Sequence, residues 1–401
     1  MSKKDRLTLG SLCAAHFVND SYSSIIYPLL PLIKDKLHLT SGQVFWLAPL
    51  YAISSSLMQP VYGFISDRYA RRFFAVFGPA ITAVFVSMTG LAPSYGLLIV
   101  ILIGGGIGIG SFHPQAAAMA AAASRERRRI GMAMFSAVGT LGFAIGPLVI
   151  TRIVDRDHLD KSIYVIATGL LMSALLYFIC PPLERSISTG VEKITGQLRR
   201  GLLLAWKPML LLYLITVIRS GLQMTTNTYL PFILKEQGSE LAATGNVLTV
   251  FLLLGGLGGL AGGYVAERVS GRAVTLYSGL LAGPLMIAAF MTNGLLSMLF
   301  LGLGGFMLLS TIPVNVAMAQ ELVPGQTSTV SALMMGAAWG VGALAPPLLD
   351  NLAPAFGRRN VLVMAAAATL LSAVCAYLLP RDESHRAKVV ESDLAAAAVG
   401  D

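Results

Sequence analysis

The sequence predicts an all-α integral membrane protein, with twelve transmembrane helices in two pseudo-symmetric six-helix halves. Three observations predict it. Of 401 residues, 55% are hydrophobic and 12% charged, where a soluble domain carries about 25% charged residues. Apolar runs of the roughly 20 residues that cross a bilayer recur along the chain. Short polar and glycine-bearing patterns of the first half return near 200 positions later.

In order, the runs are 7–33, 43–66, 72–92, 95–123, 131–152, 162–180, 208–234, 241–266, 273–292, 294–320, 327–349 and 360–380. The basic residues test the count. With the N-terminus inside, alternate loops hold 20 of the 29 lysines and arginines, the other loops hold eight, and Arg219 lies within the seventh run. That positive-inside bias supports twelve spans with both termini cytoplasmic. It also accounts for the net charge of +9 without a nucleic acid partner. Met1 to Arg6 is short and basic and the run behind it is long enough to span, so no cleavable signal is expected. Cys13, Cys180 and Cys375 lie in apolar runs without metal-ligand spacing, so neither a disulfide framework nor a metal site is expected. No Gly-x4-Gly-Lys-Ser/Thr pattern is present, and no cofactor is expected.

The organisation reads as a first half at 1–180, a linker at 181–207, a second half at 208–380 and a disordered tail at 381–401. In the linker Ile187, Val191, Ile194 and Leu198 recur at helical spacing, which predicts an amphipathic helix on the inner surface; the other reading is a linker without structure. Gly63-Phe-Ile-Ser-Asp67-Arg68 returns as Gly263-Tyr-Val-Ala-Glu267-Arg268. Pro31 and Pro231 are expected to end the first and seventh spans, and Pro147 is matched by Pro346. Two halves in the same order imply an axis along the membrane normal and a midplane site between them.

Polar residues inside these spans are the candidate site. A carboxylate at mid-bilayer costs roughly 2.5–3.5 kcal/mol on insertion scales, so Asp20 is expected to face a protein interior or a water-filled cavity. By the repeat it falls opposite Arg219. His113, before Pro114 in a glycine-rich run, titrates in the physiological range when unperturbed and can share a proton with Asp20. We therefore expect Asp20 and His113 to couple protons. The structural alternative is a fixed Asp20–Arg219 or Asp20–His16 pair fastening the helices. Arg219 offers a planar fork to carboxylate or phosphonate, with Gln223 and Asn227 one and two turns on. With His16, Asn19 and Gln115 these are the expected substrate-binding residues.

These residues also resemble a known family. Gly63, Asp67, Arg68, Arg71 and Arg72 resemble the loop 2–3 signature of the major facilitator superfamily. Gly142, Gly146 and Pro147 look like the glycine motif of its drug-exporting antiporters, incomplete at the upstream glycine. His16-Phe-Val-Asn19-Asp20, Gln59-Pro60-Val-Tyr-Gly63 and Gly110-Ser-Phe112-His113-Pro114-Gln115 are together similar to the fosmidomycin-resistance-like branch. That branch commonly has glutamate where this chain has Gln115, so no proton-carrying role passes to that position. The resemblance implies that Asp67, with Glu267 and Arg268 repeating it, latches one face shut against the start of the eleventh span, where Thr327 and Ser328 could cap the helix. It implies antibiotic export.

The function expected is therefore a secondary transporter, not an enzyme: proton-coupled export of a small drug-like or anionic compound by alternating access. The setting expected is a bacterial inner membrane, with small-molecule substrate, protons and the lipid bilayer as partners and a monomeric chain. One rival is a facilitator or proton symporter importing an organic anion through Arg219. A remoter one is a membrane transferase using His113 and Asp20 as acid and base.

Overall fold

The structure, a computed structural model, describes residues 2–59, 61, 62, 65, 71–180, 205–323 and 330–380. Gly63, Asp67, Arg68, the Arg71 side chain, Thr327, Ser328, most of the linker and the tail lie outside the described residues. The described chain is helical, without strands, and its helices fall on all twelve expected spans. Ten of them are long and apolar enough to cross a membrane.

Helix α1 runs as Lys3–Ser24 and Ile26–Lys36, offset at Ile25. Pro28 and Pro31 lack the N–H groups that would bond back toward the break, but the second piece runs through Pro31 to Lys36. The expectation that Pro31 ends the span is thus corrected, as it is for Pro231, because packing on both sides holds the helix where the missing bond alone would let it end. α2 is Ser41–Ala52 followed by a π-helical turn, Ile53–Leu57; α3 is Arg71–Ser87, tightened at Met88–Leu91; α4 is Tyr95–Ser124; α5 is Arg128–Ile153; α6 is Leu159–Val165 with Ile166–Ile179.

The second half repeats the plan with α7 (Trp206–Glu236), α8 (Leu241–Ala266) and α9 (Gly271–Met291). α10 is Gly294–Leu309 and Ile312–Leu322, and α11 is the π-helical Ala332–Ala337 with Ala338–Gly342 and Ala345–Asp350. α12 is Arg358–Ala368 and Leu370–Leu378. The expected continuous tenth span is broken at Ser310 and Thr311, just before Pro313, whose missing N–H suits the start of a new helix.

The repeat is visible in single contacts. Arg72 donates to the Tyr177 carbonyl and lies over that ring, 5.3 Å to its centre. Arg272, 200 positions on, donates to the Tyr377 carbonyl and lies 5.7 Å from that ring. α3 packs on α6 as α9 packs on α12, and the halves meet through α5 on α8 and α2 on α11.

The core shows which end is joined. One apolar cluster joins both halves toward the end where α1 and α7 finish, including Phe45, Phe232, Tyr229 and Leu30. Toward the N-terminal end the core is two separate clusters, one around Leu12 and Phe112 in the first half and one around Leu212 and Met334 in the second. Polar links close the joined end: Lys235 pairs with Asp35, Arg358 bonds Glu236 at 2.8 Å and Ser41 at 3.3 Å, and Arg152 bonds Asn246 at 2.9 Å. The halves are clasped at one end, and at the other, among the described residues, each keeps an apolar cluster of its own.

Candidate functional site

Three residues of the first half converge. Asp20 Oδ2 stands 3.1 Å from His16 Nε2, one turn earlier on α1, and Asp20 Oδ1 stands 3.0 Å from His113 Nε2 on α4. Each ring is anchored at its other nitrogen. His16 Nδ1 meets the Phe135 carbonyl at 2.9 Å, and His113 Nδ1 meets the Ile109 carbonyl at 2.7 Å. A carbonyl only accepts, so both Nδ1 atoms carry protons and both Nε2 atoms are turned to the carboxylate. His16 is further held by stacking on Phe135 (4.0 Å between centres) and by the edge of His113 (5.1 Å).

Glycine makes this packing feasible. α5 lies against α1 along Gly139, Gly142 and Gly146, and a methyl at Gly139 would sit 2.3 Å from His16 Cε1. One at Gly142 would sit 2.1 Å from the Phe17 carbonyl oxygen. The antiporter-like glycines thus set the α1–α5 spacing beside Asp20. Pro147 lies farther along, where α5 meets Gly245 of α8 across the halves. Asn19 is fully buried and accepts from Thr82 Oγ1 at 2.9 Å. Gln115 is buried on α4 but is not among the side chains that reach Asp20.

The equivalent position of the second half is built differently. Arg219 is 3% exposed and turns to main chain: Nε donates to the Leu308 carbonyl at 3.0 Å, and Nη2 donates to Leu308 at 2.7 Å and Met307 at 2.5 Å. These carbonyls belong to the last turn before the α10 break, where a helix end leaves acceptors unpaired. Of the two fixed pairs that stood as the structural alternative, Asp20–Arg219 is not held in this conformation, while His16 does stand beside Asp20: Asp20 faces two imidazoles, Arg219 faces a helix end, and no ion pair joins Asp20 to Arg219 among the described residues. Arg219 Nη1, Gln223 Oε1 and both polar atoms of Asn227 are buried without a partner. Arg219 and Gln223 line a small cleft with Thr216, Thr311, Asn315 and Trp339.

Of the latch residues within the described chain, Arg268 lies over the Tyr264 ring, 3.9 Å to its centre, and Glu267 is exposed. Phe135 and Gly139, which fix His16, carry no polar signal that sequence reasoning could have read. The clasp at Asp35 and Lys235 did carry one, because the two are separated by the repeat distance itself.

Comparison with known proteins agrees with this architecture. The Major Facilitator Superfamily model matches residues 12–238 and 212–399. The MFS-type transporter YfnC of Bacillus subtilis is 28% identical over 379 residues, covering 92% of each chain. The fosmidomycin resistance protein of Escherichia coli is 26% identical over 387 residues, covering 94% of this chain and 93% of its own. Among solved structures, an inward-facing, unoccupied bacterial homologue of the human lysosomal transporter Spinster superposes with a TM-score of 0.83 at 16% identity, covering 94% of this chain and 97% of its own. The chain is a transporter, not an enzyme, and it belongs to the Major Facilitator Superfamily.

Proposed function

We propose that this chain exports a small drug-like or anionic compound in exchange for protons, by alternating access of its two halves across a bacterial inner membrane. Both termini lie in the cytoplasm and the chain works as a monomer. One observation carries the reading: a carboxylate in the first membrane helix, met by two imidazoles whose other nitrogens are fixed to carbonyls. Asp20 and His113 are the groups whose proton is exchanged, with His16 held beside them. A group that carries a proton across must meet each side in turn, and the bundle supplies that geometry. Its halves are clasped at one end and, among the described residues, keep separate apolar clusters at the other, so rocking about the middle would expose Asp20 alternately. The Asp67 loop and its repeat at Glu267 and Arg268 act as the latch that holds one face shut.

Arg219, Gln223 and Asn227 take the substrate. An uncompensated guanidinium inside a protein is costly, and Nη1 has no protein partner to offset that cost. The same observation favours a second reading, import of an organic anion through Arg219. A panel of toxic compounds on cells expressing wild-type or Asp20→Asn protein separates the two. Export by exchange predicts protection by wild type that the variant loses, whereas import predicts sensitisation. Equal protection by both proteins would remove Asp20 from the coupling step. The antibiotic resistance for which the Escherichia coli relative is named supports choosing antibiotics for the panel.

A further inference from the structure

Hydrogen bonding alone does not explain how the three side chains at Asp20 are arranged. His113 Nε2 is 3.0 Å from Asp20 Oδ1, an oxygen buried away from the surface. With its proton on Nδ1, a neutral His113 turns the Nε2 lone pair toward this oxygen, and two lone pairs 3.0 Å apart call for a proton or a cation between them. His16 Nε2 is 3.1 Å from the other oxygen. Ligands on one ion have this relation: with metal–donor bonds of about 2.0–2.2 Å, neighbouring donors stand roughly 3 Å apart and point at the ion, not at each other. One donor atom from each of His16, Asp20 and His113 lies within 4.8 Å of the other two.

The rings are also held as metal-bound imidazoles are. Such a histidine gives its second N–H to a carboxylate or a main-chain carbonyl, which fixes the tautomer and orients the free nitrogen. Both histidines do so here, to Phe135 and Ile109. His16 is packed between the Phe135 ring and Gly139, and His113 keeps 25% of its side chain exposed. Two donors are fixed on α1, one on α4, and one side stays open.

We propose that His16, Asp20 and His113 bind a divalent first-row transition cation, zinc or cobalt in type. Two imidazoles and one carboxylate suit these ions, whereas magnesium and calcium take mostly oxygen ligands. Three protein ligands leave a further position for water or an oxygen of a transported molecule. The inference goes beyond proton exchange and is tested apart from it.

The test uses the full-length chain in detergent, stripped with a chelator and titrated with Co2+ alone. Visible d–d absorption should rise and saturate at one ion per chain. His113→Ala and Asp20→Asn should each weaken binding by at least the roughly 10–100-fold that loss of a supporting group costs. Gly139→Ala, which removes no donor but displaces His16, should weaken it about tenfold on the same scale. His158→Ala, at an exposed loop, should leave it unchanged and so controls for surface binding. Circular dichroism and size-exclusion profiles establish that each variant is folded. Absence of saturable binding, or binding that survives both His113→Ala and Asp20→Asn, overturns the proposal. Gradient-driven transport in chelator-treated vesicles keeps the two readings apart: if it persists while Co2+ fails to bind, the metal site is wrong and the exchange reading stands.

Discussion

The centres of α1 and α7 occupy the same place in the repeat and solve the problem of a buried charge in opposite ways. Asp20 is met by side chains that can gain or lose protons, and the shape of their setting comes from glycine on α5. Arg219 is met by main-chain carbonyls at a broken helix, a partnership that cannot titrate, and it leaves one nitrogen and two amide side chains without partners. A transporter that exchanges an ion for a molecule needs both kinds of site. On the proposed function the halves divide them: changeable protonation in the first, a fixed and unsaturated polar surface in the second.

The largest expected effect comes from removing each charge in turn. Arg219→Met strands two carbonyls that now share three charge-assisted bonds, each worth about 1.5–3 kcal/mol, so it should lower thermal stability in detergent by several kcal/mol. Asp20→Asn keeps an oxygen acceptor and should cost about 1 kcal/mol, yet abolish gradient-driven transport. Melting curves and transport measured on the same two variants check the contrast, and reversal of their order breaks it.

A finer contrast uses one methyl group. Gly139→Ala drives a Cβ into the His16 ring and should cut transport about tenfold, the effect of a barrier increase near 1.4 kcal/mol. Ala338, one repeat away on α11, is fully buried. Ala338→Gly should cost roughly 1 kcal/mol of stability and leave transport rates intact, because it removes a methyl and drives nothing into a neighbouring side chain.

The clasp should yield a smaller effect. Asp35→Lys or Lys235→Asp alone should loosen the joined end by about 0.2–1 kcal/mol, and the double exchange should restore it. Labelling of a cysteine placed at Met224, which packs against Tyr27, by a water-soluble reagent reads this directly.

The smallest effect is at the loop between α5 and α6. Asp155 accepts from Lys161 and from His158, which holds its carboxyl well below the usual range. A depressed carboxyl stabilises above its unfolded pKa of about 3.9 and loses that contribution as pH falls below it. Wild type should therefore melt like Asp155→Asn only at strongly acid pH, and slightly higher near neutrality.

The twelve helices and their halving were legible in the sequence because lipid permits few alternatives: apolar runs must close their own hydrogen bonds, and basic loops orient them. Asp20 and His113 were legible for the same reason, since an ionisable residue in such a run needs a cause. Of the two fixed pairs left open by the sequence, Asp20 with Arg219 or Asp20 with His16, this conformation holds the second. The repeat gives the register of two helices but not which way a long side chain turns, and Arg219 turns to a break at Ser310 that Pro313 alone does not locate. His16 came out of the sequence as a substrate contact and, one turn from Asp20, as its alternative partner; the structure adds Phe135 and Gly139, neighbours that only the α1–α5 packing brings to its ring.

The central claim is that Asp20 exchanges a proton for substrate, and everted vesicles test it most directly. With an acidified lumen, wild-type vesicles should accumulate substrate, raise lumenal pH in step with uptake and lose both under a protonophore. Asp20→Asn vesicles should do neither. Full gradient-driven uptake by Asp20→Asn would contradict the account.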